Sequence, residues 1–278
     1  MEAFNNGFMK NGIMLDFDPQ AVPAGSGLVY EVIRIIDGIP LFFDEHYARL
    51  VNSAASSGGR PVSSYESFRQ MTDDFLAHRP KLNGDYNIKI VFQPQSGDLY
   101  IQTNPVSYPP PALYERGIHT ELLHYMRPDP NSKIINLELG ELAAQKKTAS
   151  GAYEVLLVDQ GGSITEGSKS NLFFVKNDEL LTPPLVSVLP GVTRQKIIDT
   201  AKNININVIE TNIKSDDLHT YEGAFMSGTS PKILPISSIG TIPFDSSHLP
   251  LITALMKQFN ETIATDLKNY RNSAQSRL

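Results

Sequence analysis

A chain of 278 residues with 41 % apolar and 19 % charged residues is long enough for one large domain or two ordinary ones, each with its own core. A net charge of −6 and a pI near 5.5 argue against a nucleic-acid partner, which would want a basic face, and the lack of cysteine excludes disulfides and thiolate metal sites. With no long apolar run, and with Met1-Glu2-Ala3-Phe4-Asn5 lacking the basic-then-apolar order of a signal peptide, the chain reads as cytoplasmic, with no membrane partner.

The stretch before residue 45 reads as β structure. Leu28 to Ile36 is rich in strand formers, Asp37-Gly38 is a hairpin turn signal, and Pro40 to Phe43 begins the returning strand. A helix is expected over His46 to Ser57, ending near Gly58-Gly59. Ser63 with Glu66 forms a capping-box pattern opening a second helix toward His78. Tyr86, Ile88, Ile90 and Phe92 alternate as a half-buried strand does, and Leu99 to Thr103 supplies a hairpin partner. The run Pro105-Val106-Ser107-Tyr108-Pro109-Pro110-Pro111 can continue neither sheet nor helix. It sets a smaller N-terminal domain over 1–108, a linker over 109–115 and a larger C-terminal domain over 116–278.

Beyond the prolines the elements alternate. Ile118 to Tyr125 reads as a strand and Leu137 to Ala149 as a helix stopped by Gly151. Val155 to Val158 and Leu172 to Val175 are strands, with Thr165-Glu166-Gly167 at the turn between them. A helix over 192–202 opens after Pro190-Gly191, and Ile204, Ile206 and Val208 alternate as a strand. Leu251, Leu255, Phe259, Ile263 and Leu267 recur every four residues, one apolar stripe on a C-terminal helix.

Four stretches carry the chemistry: Ser132-Lys133-Ile134-Ile135-Asn136, Thr165-Glu166-Gly167-Ser168-Lys169-Ser170-Asn171, Leu189-Pro190-Gly191-Val192-Thr193-Arg194 and Ser227-Gly228-Thr229-Ser230. Each alone is unremarkable: a lysine before a helix is usually solvated, and Thr-Glu-Gly is a polar turn. Together they offer an amine for a Schiff base, a carboxylate for a ring nitrogen and a cup for a phosphate. In that cup, Gly191-Val192-Thr193 opens a helix whose free N–H groups and dipole favour an anion. These are the needs of pyridoxal 5'-phosphate, a cofactor that performs carbanion chemistry if the protein holds and tunes it. Other sites find no support. His119 and His124 fall on opposite faces of one strand, no two histidines have metal-ligand spacing, and Gly25-Ser26-Gly27 lacks the third glycine of a dinucleotide loop. No nucleophile-elbow motif occurs either.

The four stretches in this order, with Tyr30-Glu31-Val32-Ile33-Arg34 and His46-Tyr47-Ala48-Arg49-Leu50 before them, resemble the fold-type IV pyridoxal-phosphate enzymes. That family holds branched-chain and D-amino-acid aminotransferases and aminodeoxychorismate lyase. The likeness spans roughly residues 28–57 and 130–240. It implies an α+β fold of two domains, a smaller α/β one and a larger mixed α/β pseudo-barrel that binds the cofactor, assembled as a homodimer. Lys133 is then the Schiff-base lysine, and Glu166 pairs with the pyridine nitrogen and keeps it protonated. Ser170 and Asn171 complete the family's E-G-x-x-x-N run. Arg49 holds the phosphate beside Val192 and Thr193, Thr229 adds a hydroxyl, Leu189 lies against a ring face, and Tyr30 stands near cofactor and substrate carboxylate.

Two departures bear on substrate. Where D-amino-acid aminotransferases carry an arginine and a histidine after the strand at Leu99, this chain reads Asn104-Pro105. Where branched-chain aminotransferases usually have tyrosine after the asparagine that follows the lysine, it has Leu137. The resemblance therefore implies transfer of an amino group between an amino acid and a 2-oxo acid, and leaves open elimination of pyruvate from aminodeoxychorismate. A scaffold that merely bound the cofactor would not need both Lys133 and Glu166.

Overall fold

A computed structural model describes residues 7–275 apart from 17, 19, 79–83 and 106–107, and for 274 and 275 the backbone only. Expectations placed on Met1 to Asn5 and on Val106-Ser107 lie outside the described residues. The chain divides into two compact units, one from Met1–Ser107, Ser132–Asn136 and Ile263–Leu278, the other from Tyr108–Asn131 and Leu137–Thr262.

Among the described residues the first unit contains six strands: β1 Phe8–Lys10, β2 Ile13–Leu15, β3 Val29–Ile36, β4 Ile39–Pro40, β5 Tyr86–Gln93 and β6 Asp98–Asn104. They pair antiparallel throughout, in the order β2-β1-β6-β5-β3-β4. Asp37 and Gly38 both have positive φ, 50° and 78°, as a two-residue hairpin turn requires. The returning strand is only two residues long. Phe42 turns left-handed (φ 53°) and starts helix α1, Phe43–Ser56, three residues earlier than the sequence suggested. Helix α2, Tyr65–Ala77, is capped by Ser64 rather than Ser63, its Oγ accepting the Ser67 N–H at 3.3 Å. Val29, Ile33, Ile35, Ile88, Ile90, Phe92 and Ile101 face Phe43, Leu50, Phe68 and Phe75 of these helices.

Directly paired residues share a face, so the opposite face carries Tyr30 and Val32, Val91 and Lys89, Tyr100 and Gln102. Residues 132–136 run along this sheet. The Tyr30 N–H donates to the Lys133 carbonyl (3.0 Å), the Ile135 N–H to Leu28 (2.8 Å) and the Gly27 N–H to Ile135 (3.1 Å). Backbone hydrogen bonds thus put Lys133 in the first unit, although it follows the proline run. A single cut in the sequence could not have placed it there.

Residues 111–115 of the expected linker fall in helix α3, Pro111–Arg116, with proline in its first turn where a missing N–H costs nothing. The second unit continues with β7 Ile118–His124, α4 Leu137–Ser150, β8 Glu154–Val158, β9 Ser163–Gly167, β10 Asn171–Lys176, β11 Glu179–Thr182 and α5 Val192–Asn203. Then follow β12 Val208–Glu210, β13 Ile213–Lys214, β14 Gly223–Gly228, β15 Lys232–Ile239, β16 Ile242–Pro243 and α6 Pro250–Gln275, whose residues from Ile263 onward belong to the first unit. The sheet runs β12-β11-β10-β14-β15-β7-β8-β9-β13, with β16 on β15. It is mixed: β7 is parallel to both β8 and β15, and β11 to β12. The strand expected from Ile204 is a correction: Ile204 closes α5, Asn205 is left-handed (φ 60°), and pairing starts at Val208. The C-terminal stripe is Ile252, Leu255, Phe259 and Ile263, with Ile252 taking the buried place given to Leu251. Among the described residues no helix is long and apolar enough to cross a membrane, and no acidic, histidine or cysteine cluster could hold a metal.

Candidate active site

In the first unit, Lys133 stands over Tyr30, its Nζ 4.6 Å from the ring centroid, within cation–π range. Its backbone is tied from behind, the Lys133 N–H donating to the buried Ser53 Oγ at 3.1 Å. Ser53 lies one turn along α1 from Arg49, and His46, Arg49 and Ser53 share one helical face. A second lysine, Lys89 on β5, also approaches Tyr30, Nζ to centroid 5.7 Å.

Arg49 does not stand alone. Its Nε and Nη2 donate to the two oxygens of Glu31, each at 2.7 Å, in a side-on bidentate pair. His46 Nδ1 lies 2.8 Å from the same carboxylate. A carboxylate only accepts, so Nδ1 carries the hydrogen, and the 3.4 Å approach of Arg49 Nη2 to Nδ1 is then a contact and not a hydrogen bond. All three side chains are buried, Glu31 completely. Burial by itself would raise the Glu31 carboxyl, but the Arg49 charge and its hydrogen bonds, with help from His46, outweigh it and hold the group at about 2. Burial lowers His46, against the pull of Glu31, so its neutral form is favoured. Sequence reading assigned Glu31 nothing. The signal was present: in Val29, Glu31, Ile33, Ile35 the carboxylate occupies a core position of a strand.

The second unit supplies a different kind of cluster. Glu166 lies in β9 itself, not at the expected turn, and is 3 % exposed. Its Oε1 accepts Arg127 Nη1 at 2.7 Å, and its Oε2 accepts the Leu189 N–H at 3.0 Å. Asn171, the first residue of β10, donates from Nδ2 to the Leu189 carbonyl at 2.9 Å. Leu189 is thereby held at both its N–H and its carbonyl, and the chain turns from it into α5. That helix begins at Gly191 with no side-chain cap, so no side chain of the Ncap residue competes for the amides at Val192 and Thr193, both buried. Gly191 is required by space: an added Cβ would fall 2.0 Å from Asn171 Oδ1. Ser227 pairs with Asn171 across β14 and β10, which brings Ser227-Gly228-Thr229 to the same sheet end.

Ser170 points elsewhere. Its Oγ donates to Glu154 at 3.3 Å, and Ser168 Oγ reaches the same buried carboxylate at 2.6 Å, so Glu154 shapes the turn between Glu166 and Asn171. Neither Glu154 nor Arg127 was singled out from sequence. Glu154 is a charge in a strand buried on both faces, which was a signal, whereas Arg127 lies in irregular chain and left none.

The profile of the Amino-transferase class IV family matches residues 28–239, well over half of the chain. This protein belongs to the class IV aminotransferases. The D-alanine aminotransferase of Listeria innocua serovar 6a is 30 % identical over 271 residues, covering 91 % of this chain and 92 % of that one. The branched-chain-amino-acid aminotransferase of Escherichia coli (strain K12) is 28 % identical over 256 residues, covering 83 % and 82 %. A crystal structure of the Escherichia coli branched-chain enzyme matches with a TM-score of 0.82 at 26 % identity, over 93 % of this chain and 95 % of that one. As a class IV aminotransferase the chain is a pyridoxal-phosphate-dependent enzyme of the fold-type IV architecture that moves an amino group between an amino acid and a 2-oxo acid. Both relatives named above are aminotransferases, and on that ground transfer is taken over the elimination that the motifs left open.

Proposed function

We propose that Lys133 is the lysine that links covalently to the cofactor and then carries the proton at the substrate's α-carbon, with Glu166 at the pyridine nitrogen. Arg49, Thr229 and the amides of Val192 and Thr193 take the phosphate, Leu189 lies on a ring face, and Asn171 and Ser170 brace the loop that presents them. Bound pyridoxal 5'-phosphate supplies an electron sink for the α-carbon. The observation that carries the reading is Glu166: a buried carboxylate fixed on both oxygens, by Arg127 and by the Leu189 N–H, has the set direction that a protonated ring nitrogen needs. The uncapped α5 start suits a phosphate.

For the substrate's carboxylate, Asn104 offers no cation. Lys89 does, on the same sheet face as Tyr30 and beside the ring that Lys133 covers. Lys89 and Tyr30 are the pair we assign to it. We further propose a cytoplasmic homodimer. Met126, Leu137, Tyr153, Leu185 and Val186 are exposed apolar side chains of the second unit that a partner would cover, and closed two-fold dimers are the commonest soluble assembly. Light scattering tests this: a fully active monomer overturns it.

The reaction is tested by mixing the holoenzyme with single amino acids, L-branched-chain and D-alanine among them, without a 2-oxo acid acceptor. Transamination releases about one equivalent of 2-oxo acid per site and stops, because half of the cycle is then complete. Continued release of pyruvate from aminodeoxychorismate, with no response to any amino acid, would replace this reading by elimination. Lys89→Ala should raise KM for the amino acid roughly tenfold or more with a smaller change in kcat, as loss of a charge-assisted contact does.

A further inference from the structure

We infer that Glu31 is a positioning residue for the cofactor's phosphate, acting wholly through Arg49. The inference rests on the phosphate role proposed for Arg49. Glu31 sits at a core position of β3, between Val29 and Ile33, completely buried, and touches three donors: Arg49 Nε at 2.7 Å, Arg49 Nη2 at 2.7 Å and His46 Nδ1 at 2.8 Å. Stability alone gives little reason for the arrangement, since apolar side chains of like volume at such a place are often as stable or more so. What the carboxylate does supply is direction. An arginine side chain has four rotatable bonds, and a side-on bidentate contact fixes both the plane of its guanidinium and the rotation about its long axis. His46, one turn before Arg49 on α1, fixes the carboxylate in turn, so that strand and helix together set where the guanidinium points. Orientation matters more than charge here: the Glu31 carboxylate offsets the arginine's monopole, and what reaches a phosphate is a directed set of N–H bonds.

The test compares two ligands on the apoprotein, pyridoxal 5'-phosphate and pyridoxal, which differ only in the phosphate. Their dissociation constants are read from the absorbance of the bound ligand, with thermal unfolding as a check on the fold. Glu31→Gln should weaken pyridoxal 5'-phosphate roughly tenfold or more and leave pyridoxal within about twofold, while Glu31→Asp recovers part of the loss. Equal weakening of both ligands, or no change in either, overturns the inference. Arg49→Gln separates its failure from that of the reading beneath it. If Arg49→Gln leaves the preference for the phosphorylated ligand intact, the phosphate role of Arg49 is wrong. If Arg49→Gln abolishes that preference and Glu31→Gln does not alter it, only the role of Glu31 is wrong. Should Glu31→Gln fail to fold because Arg49 is left with a buried charge, the pair Glu31→Gln with Arg49→Gln removes that charge. The pair should then match Arg49→Gln alone, and a further loss of phosphate preference in the pair would show that Glu31 does not act through Arg49.

Discussion

The two units hold their functional groups by opposite means. In the first, a sheet with one core face and one mixed face carries the proposed groups on side chains: Lys133 over Tyr30, and Arg49 aligned by a buried carboxylate. In the second, strands buried on both faces end in loops whose backbone would form the proposed phosphate cup, with Glu166 and Asn171 clamping Leu189 ahead of an α5 that has no side-chain cap. Side-chain sites fail by loss of one functional group. Backbone sites fail by loss of shape, and a methyl group can be enough. Substitutions that delete a group should therefore dominate in the first unit, and substitutions that add bulk should tell most in the second.

The largest effect belongs to Lys133→Ala. It removes both the proposed covalent link and the proposed proton carrier, and proton transfer by a placed side chain alone accounts for about 10²–10⁴ in rate. Turnover should fall to background, and borohydride reduction should leave no cofactor attached to the protein while the unfolding temperature stays near that of the parent apoprotein. A covalently attached cofactor in this variant would mean that another lysine is the partner. Glu166→Gln comes next. An amide in place of the carboxylate gives up a charge-assisted bond of about 1.5–3 kcal/mol, which corresponds to roughly 10- to 100-fold in rate. Cofactor should still bind, and unchanged turnover would make Glu166 structural.

The sequence was most legible where apolar side chains recur at every second position. The alternation of Tyr86, Ile88, Ile90 and Phe92 marked β5, and Asp37-Gly38 marked the hairpin, because period two and left-handed φ are local properties. β14 and β15 passed unread although β8 and β10, equally buried on both faces, were found: Gly223, Ser227 and Gly228 in β14 and Pro235, Ser237 and Ser238 in β15 break up the apolar run. Apart from α3, whose residues were expected as linker, the helices were found within a few residues. The assignment of residues to units failed at Lys133, because the hydrogen bonds that tie 132–136 to β3 join segments a hundred residues apart. The same limit applies to the site: motif residues could be named from local patterns, whereas Glu31 and Arg127 act through partners met only in the fold.

Gly191→Ala sharpens the contrast between the units. It deletes nothing, yet its methyl would fall 2.0 Å from Asn171 Oδ1, far inside contact distance, so either the amide or the start of α5 must move. Overpacking of this kind typically costs about 1–3 kcal/mol. Here it should appear mainly as weaker binding of pyridoxal 5'-phosphate, about tenfold, with a modest drop in unfolding temperature. The same change at Gly25, where a Cβ would meet nothing within 4 Å, should leave both quantities unaltered and serves as the control. Equal responses at the two positions would remove the case for a shape-dependent cup.

Acid gives the smallest effect and the finest discrimination. Glu31 is held at about 2, below its ordinary 4.5, because Arg49 outweighs the burial that would raise it. An unfolded chain therefore takes up a proton at this group before the folded one does. The stability it contributes is complete above pH 4.5 and is lost progressively as the pH falls toward about 2. His46, lowered by burial, acts in the same direction at higher pH: its contribution is complete above its ordinary 6.5 and declines below it. Both groups belong to the first unit, so that unit should loosen first in acid. Urea midpoints measured at steps from pH 7 to pH 3 should fall for the parent protein and fall less steeply for Glu31→Gln, whose amide does not titrate. Hydrogen exchange at pH 4 should show faster opening in β3 and α1 than in β8 and β10. If the variant loses stability with the same slope as the parent, the ion pair is not what makes the first unit sensitive to acid.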